Sequence, residues 1–193
     1  MSRRQEIVDA AETLFAERGY HHTSMQDLGE ATGMLRGSLY AHIQSKDELL
    51  VEIVQRAAAQ FLDGMAEIVH GPGTVPHRLR EAFRHHVRVV TGNLAAAAVF
   101  LFEWRHLPPD VRKDIAGRRD RYEGLWRSLL SEGQADGTLS VEDPAVAAIF
   151  LLSAGNWLAQ WYRPGGRLSA DQVADQFFRL AMDGIGSQKE AAS

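Results

Sequence analysis

The chain of 193 residues contains no cysteine. This absence excludes disulfides, thiolate nucleophiles and metal sites with sulfur ligands, and it fits a reducing compartment. The N-terminal residues MSRRQEIVDA lack the apolar segment of a signal peptide, so we expect a cytoplasmic protein. HExxH, GxSxG and a phosphate-binding glycine loop are also missing, which argues against an enzyme and predicts neither a catalytic nor a metal site.

Long uncharged stretches are scarce, and one of them raises the question of a membrane. Residues 144–162, PAVAAIFLLSAGNWLAQWY, carry no charge over 19 positions. A membrane-spanning helix needs ~20 predominantly apolar residues. Pro144, Ser153, Asn156 and Gln160 interrupt this stretch, so we expect a helix buried on all sides in protein and no membrane partner.

Apolar residues at helical spacing, separated by glycine and proline breaks, predict an all-α fold of nine helices. No stretch alternates as a strand does. We expect a three-helix N-terminal domain (residues 1–47), followed by a C-terminal domain (residues 48–193) that begins with a long connecting helix. After the first helix, which ends near Gly19, the predicted ranges are 24–32, 35–43, 45–70, 75–91, 94–106, 109–135, 142–163 and 169–185.

The second and third short helices, about residues 24–43, have the features of a helix-turn-helix. Gly33 permits the left-handed backbone of the turn, and the second helix of such a motif enters the major groove. Arg36 can bond guanine with two hydrogen bonds, and helix starts at Ser24 and Ser45 offer free amides to phosphate. The residues that we expect to contact DNA are Thr23, Ser24, Leu35, Arg36, Gly37, Ser38, Tyr40, His42 and Lys46.

Residues 19–50, GYHHTSMQDLGEATGMLRGSLYAHIQSKDELL, resemble the DNA-binding domain of the TetR family of one-component repressors. Leu35 and Ile43 depart from the small polar and aromatic residues that are usual in this family. The resemblance implies a homodimer that binds a palindromic operator in double-stranded DNA and is released by a small hydrophobic effector. It covers Gly19, Tyr20, Thr23, Ser24, Asp27, Leu28, Ala31, Gly33, Gly37, Ser38, Leu39, Tyr40, His42, Ser45, Lys46, Leu49 and Leu50.

The charge balance opposes binding to nucleic acid. The chain has a net charge of −4, and residues 1–50 carry five basic against eight acidic side chains. A DNA-binding surface must therefore be a local patch, which we place at Arg36 and Lys46, with Arg3 and Arg4 on an N-terminal arm. We expect modest, salt-sensitive affinity for each module, so that two modules are needed.

The last two predicted helices offer a surface for association. Small residues in the uncharged helix allow close approach, and two helices from each subunit would form a symmetric four-helix bundle. The alternative is that the uncharged helix is buried within one monomer. The residues predicted at the dimer interface are Ala148, Leu152, Gly155, Leu158, Phe177 and Leu180.

The middle helices, residues 75–135, are rich in aromatic side chains and are expected to hold the effector. Arg118 falls on an apolar face of its helix, and a buried arginine requires an anionic partner. Glu103 or Asp120 could be that partner, or the anion could belong to the ligand. The predicted ligand-binding residues are Phe83, His86, Phe102, Trp104, Arg105, Arg118, Arg119, Tyr122 and Trp126.

Two segments, FLFEWRHL and WYRPGGRLSADQVADQFFRL, are similar to a TetR subgroup that controls fatty-acid, aromatic-acid or steroid breakdown. The effectors of that subgroup are acyl-CoA thioesters, and no bound cofactor is implied. A different hydrophobic or drug-like effector is the alternative, and a helical scaffold that does not bind DNA is a remote one. The resemblance assigns the CoA phosphates to Arg112, Lys113, Arg118, Arg119 and Arg121.

Overall fold

The computed structural model describes residues 2–183, and within this range all regular secondary structure is helical. The breaks after Leu62 and Asn156 interrupt two of the predicted helices. When each interrupted pair is counted as one, the described range contains the nine predicted helices. The helices are α1 Arg3–Arg18, α2 Met25–Thr32, α3 Arg36–Leu39, α4 Lys46–Leu62, α5 Met65–His70, α6 Val75–Gly92, α7 Leu94–Ala98, α8 Pro109–Ala135, α9 Pro144–Asn156, α10 Leu158–Trp161 and α11 Ala170–Asp183.

The first three helices pack into one small core. Phe15 of α1, Leu28 of α2 and Leu39 of α3 are almost completely buried. The Ser24 hydroxyl accepts from the Asp27 amide while the Asp27 carboxylate accepts from the Ser24 amide, which is a capping box. Gly33 ends α2 with a φ of 65°, so the predicted helix-turn-helix is present.

Four predicted helices differ from the observed ones. The helix expected over residues 45–70 breaks at Gly64, whose φ of 72° is left-handed. α3 is shorter than expected and ends in a turn after Leu39. The helix expected over residues 94–106 widens into a π turn at Val99–Glu103 and closes with a 3₁₀ turn at Trp104–His106. The helix expected over residues 142–163 breaks at Trp157.

In the C-terminal domain, α6 packs against α8, α9 and α11. Two arginines on α6 tie α11 in place, because Arg84 pairs with Asp175 at 2.7 Å and Arg88 pairs with Asp171 at 2.8 Å. These ion pairs hold α11 against α6, where α11 also contacts α9.

The uncharged stretch 144–162 is buried on one face only. Ala148 and Leu151 are buried, whereas Ile149 and Phe150 are more than half exposed, so the single chain covers one face of this helix and its burial on all sides stays a prediction that requires a partner. Within residues 2–183, no single helix is long and apolar enough to cross a membrane. By length and composition alone, α6 and Leu94–His106 together meet the requirement, but the pair is bent by 107°.

Candidate DNA-binding surface and effector cavity

The outer face of α3 is exposed, and the segment that carries it contains no acidic residue, although Glu30 of α2 lines a concavity beside Leu35 and Arg36. Leu35 is 82% exposed and Tyr40 is 47% exposed, and the Arg36 guanidinium lies 6.0 Å from the centre of the Tyr40 ring. Gly37, Ser38 and His42 are exposed as well. No acidic residue occurs between Gly33 and Lys46. This is the local patch that a chain of net negative charge needs if it binds DNA, and the individual contacts remain predictions.

Three of the expected DNA contacts have structural partners instead. Thr23 is buried, and its hydroxyl donates to the carbonyl of Gly19 at 3.0 Å, so its side chain cannot reach DNA. The Lys46 ammonium donates to the carbonyls of Tyr20 at 2.7 Å and Thr23 at 2.8 Å, and burial lowers its pKa. The Ser24 hydroxyl is engaged in the capping box. Through these hydrogen bonds, the polar groups of the three residues stabilise the loops and the helix start of the N-terminal domain.

Arginines pair with four of the eight acidic side chains of residues 1–50, namely Glu6, Glu12, Asp27 and Glu48. Arg4, which we expected on a mobile arm, lies in the first turn of α1 and pairs with Glu48 at 2.9 Å. Arg56 pairs with the buried Glu12, and Arg18 pairs with Asp27 at 3.3 Å. These ion pairs offset part of the negative charge of the N-terminal domain.

A cavity of about 80 Å³ lies between α4, the π turn, α8 and α9. α4 begins in the DNA-binding core, where Leu49 and Leu50 are buried, and its last turns form one wall of the cavity. Phe61 stacks on Phe100 with ring centres 5.1 Å apart. The residues that line the cavity are Ala58, Phe61, Leu62, His86, Phe100, Leu101, Arg118, Arg119, Tyr122, Glu123, Leu152 and Asn156.

Two polar groups of the cavity wall are of particular interest. The His86 ring is buried, its Nδ1 lies 3.0 Å from the Tyr122 hydroxyl, and burial lowers the pKa of His86 to about 3. Arg119 stacks on Phe100 and Trp104 at 5.1 and 5.0 Å, and burial lowers the pKa of its guanidinium. Its Nη1 is buried without a hydrogen-bond partner among the described residues. An anionic group on a ligand would satisfy it.

Four of the nine predicted ligand-binding residues line the cavity, namely His86, Arg118, Arg119 and Tyr122. Phe83 and Trp126 belong to the core behind the cavity, Trp104 and Phe102 lie outside its wall, and Arg105 is exposed. The α4 wall of Ala58, Phe61 and Leu62 was not predicted from the sequence, since α4 was assigned only a connecting role. A signal was present, because apolar residues continue along α4 beyond the DNA-binding domain.

The acidic partners expected for Arg118 were wrong. Arg118 pairs with Asp114 at 2.9 Å, one turn earlier on α8. Glu103 instead accepts a hydrogen bond from the Tyr20 amide at 3.1 Å, and His106 Nδ1 lies 2.9 Å from His21 Nε2. The segment that carries Phe100 of the cavity therefore also contacts the DNA-binding domain directly.

The basic residues expected to bind CoA phosphates are all on α8. A shallow concavity on this helix is lined by Lys113, Arg118 and Arg121, together with Asp110 and Asp114. Arg112 is exposed and donates to the Arg105 carbonyl at 3.2 Å. Among the described residues, no group of three or more histidine and acidic side chains is placed to hold a metal ion.

The predicted dimer residues divide between two faces. Ala148, Gly155 and Leu158 are buried within the monomer, so their predicted dimer contacts were wrong: the small residues serve packing inside the chain. Leu152 lines the cavity and is partly buried, and its dimer contact stays a prediction. Leu180 is 52% exposed, and Phe177 packs against Trp161. The exposed apolar side chains of α9 to α11 form one group, here called the outer apolar face: Val146, Ile149, Phe150, Trp157, Trp161, Leu180 and Met182.

Comparison with known proteins agrees with this architecture. Residues 7–53 match the family described as bacterial regulatory proteins of the tetR family, and residues 72–185 match the tetracyclin repressor-like C-terminal domain. The chain is 32% identical over 187 residues to the HTH-type transcriptional repressor KstR2 of Rhodococcus jostii, covering 96% of this chain and 92% of the relative.

Two solved structures show the same fold over the whole chain. AibR in complex with isovaleryl coenzyme A and operator DNA is 30% identical, with a TM-score of 0.80, and covers 94% of this chain and 98% of its own. The ketosteroid regulator KstR2 of Mycobacterium tuberculosis is 28% identical, with a TM-score of 0.87, and covers 97% and 96%. The chain belongs to the TetR family of bacterial transcriptional regulators.

Proposed function

We propose that this TetR-family regulator is a cytoplasmic repressor, not a catalyst, that binds an inverted-repeat operator as a homodimer and leaves it when an effector binds. One observation carries the proposal: α4 has its first turns in the DNA-binding core and its last turns in the wall of the effector cavity. α4 thus connects the effector cavity to the DNA-binding core, so that a displacement at the cavity can be transmitted along the helix. Occupancy of the cavity can therefore alter the position of α3.

The effector class that fits best is an acyl thioester of coenzyme A. The cavity offers an apolar wall for an acyl group, and the Arg119 guanidinium lies at the same wall without an acidic partner among the described residues. Basic side chains continue along α8 at Lys113 and Arg121. The related AibR has been crystallised with isovaleryl coenzyme A. A different hydrophobic or drug-like molecule is the alternative that an effector screen must include.

The size of the cavity suggests how the effector would act. Sites for drug-sized ligands enclose roughly 300–1,000 Å³, whereas this cavity measures about 80 Å³. An acyl group larger than the cavity would displace its wall, and the α4 wall is joined to the DNA-binding domain. Binding would then favour a second arrangement in which the two α3 helices of the dimer no longer fit successive major grooves. The shift can be no larger than the effector's difference in affinity for the two arrangements.

The outer apolar face supports the dimer. It exposes seven large apolar side chains on three neighbouring helices, and exposed patches of this kind mark association surfaces. Pairing the same surface across a twofold axis would join two DNA-binding domains, which a palindromic operator requires.

The test is a binding assay on inverted-repeat fragments from the promoters of the source genome. Fluorescence anisotropy should detect salt-sensitive binding that Arg36→Ala abolishes or weakens strongly, whereas Arg127→Ala on the exposed side of α8 should bind as the wild type does. Acyl-CoA esters of graded chain length should then reverse the binding and raise the melting temperature. Failure to bind any inverted repeat would refute the regulator. DNA binding that no CoA ester affects would refute the effector class alone.

A further inference from the structure

One buried nitrogen of the cavity wall has no partner in the protein. His86 Nε2 is buried, and it makes no hydrogen bond to any described residue. The other ring nitrogen, Nδ1, is already engaged with the Tyr122 hydroxyl at 3.0 Å. A buried polar atom without a partner costs free energy comparable to a lost hydrogen bond. When such an atom belongs to a cavity wall, it indicates that a ligand supplies the missing hydrogen-bond partner.

The hydrogen on this nitrogen depends on the Tyr122 hydroxyl. Because burial lowers the pKa of His86 to about 3, the ring is neutral at physiological pH and carries one hydrogen. When the Tyr122 hydroxyl donates to Nδ1, the hydrogen of the ring lies on Nε2. In this tautomer His86 presents an N–H that lacks an acceptor among the described residues.

The position of this N–H is fixed by close packing. A Cβ atom at Gly155 would lie 2.6 Å from His86 Nε2 and 2.3 Å from Cδ2, so α9 approaches the ring edge as only glycine allows. Asn156, the next residue, lines the same cavity. It is near enough to favour the protonated ring slightly but does not meet the geometry of a hydrogen bond with Nε2. The imidazole and the carboxamide thus form a small polar patch in an otherwise apolar wall.

We propose that the acyl group of the effector carries a keto or hydroxyl oxygen that accepts from His86 and bonds to Asn156, so that the cavity selects oxygenated acyl thioesters over plain hydrocarbon ones. This assignment rests on the proposed acyl-CoA effector. A purely hydrocarbon chain would bury both polar groups without partners, and a site built around a hydrogen bond discriminates strongly against a ligand that cannot make it.

The experiment compares CoA thioesters of equal chain length, from hexanoyl to decanoyl, with their keto and hydroxy derivatives oxygenated near the far end of the chain. Isothermal titration calorimetry on the full-length protein should give at least about tenfold tighter binding for the best oxygenated ester than for its hydrocarbon counterpart. In His86→Phe, which keeps the ring and removes the N–H, this preference should fall to about one. Asn156→Leu should reduce it partially.

The controls separate recognition from folding. Thermal unfolding and operator binding check that each variant is folded, and Phe102→Leu, outside the cavity wall, should keep the preference. If His86→Phe does not fold, the preference for oxygenated esters measured in Asn156→Leu alone tests the proposal. Equal binding of oxygenated and plain esters to the wild type overturns the inference and leaves the proposed function intact. A preference that survives in the folded variants also overturns it. If no ester of either kind binds while operator binding persists, the effector class itself is wrong.

Discussion

Replacing Lys46 by methionine separates a structural role from a DNA contact. The position of this residue at the start of α4 predicts a phosphate contact, but its ammonium donates to the carbonyls of Tyr20 and Thr23 and lies 4.2 Å from the Tyr20 ring centre. Hydrogen bonds to charged groups contribute about 1.5–3 kcal/mol each. Because Lys46 is partly exposed, water compensates for part of the loss, and we expect Lys46→Met to reduce the free energy of unfolding by about 2 kcal/mol in all. That change corresponds to a decrease of roughly 4–8 °C in melting temperature.

The DNA assay supplies the other half of the test. A lysine that neutralises one phosphate contributes about 0.9 to the slope of log affinity against log salt for each protomer. Lys46→Met should leave this slope unchanged at temperatures where the variant is folded, whereas Arg36→Ala should weaken binding. Lys113→Met, on the exposed surface of α8, is the matched control and should change neither stability nor slope. A slope that falls by about one per protomer, with stability unchanged, would refute the structural role of Lys46.

Three further predictions concern the C-terminal domain. The folded-state pKa of His86 is about 3 whereas an unfolded histidine titrates near 6.5, so its contribution to stability is complete above that pH and declines as the pH falls toward 3. Between about pH 7 and 5.5 the wild type should lose about 1 kcal/mol more than His86→Phe in urea unfolding, and equal losses would contradict this. Phe61→Ala should cost about 3–5 kcal/mol in the same assay, because the side chain is buried between Phe100 and Tyr122. Trp157→Glu on the outer apolar face should give monomers in sedimentation experiments and abolish operator binding, while Leu35→Gln should remain dimeric; a dimeric Trp157→Glu protein would place the interface elsewhere.

The N-terminal domain was the most predictable part of the chain. Its caps and its turn are local: the Ser24–Asp27 box and the left-handed Gly33 follow from residues three to nine positions apart. The roles of Thr23 and Lys46 were not predictable in this way. Lys46 closes a loop 23 to 26 residues earlier in the chain, and no spacing rule indicates such a contact. Local patterns thus identified the motif but not which of its polar groups remain available to DNA.

The cavity was only partly predictable, because its wall comes from distant segments. Arg118 and Arg119 are neighbours on α8, and helical periodicity placed the first on the apolar face, whereas the structure buries part of the second between Phe100 and Trp104. The widening of the helix at the π turn changes which side chains face inward after Val99. Small residues such as Gly155 were assigned to a dimer contact, although the contact that requires them is with His86 in the same chain.

One face of α9 lines the cavity and the opposite face is exposed, and this arrangement has a consequence for how a dimer binds two effectors. Leu152 and Asn156 line the cavity, while Phe150 and Trp157 on the opposite side belong to the outer apolar face. In the proposed dimer, an effector that displaces this helix in one subunit would also disturb the surface that contacts the second subunit. Binding of effector at one site would then change the affinity of the other site. The binding curve of the dimer should therefore differ from that of two independent sites.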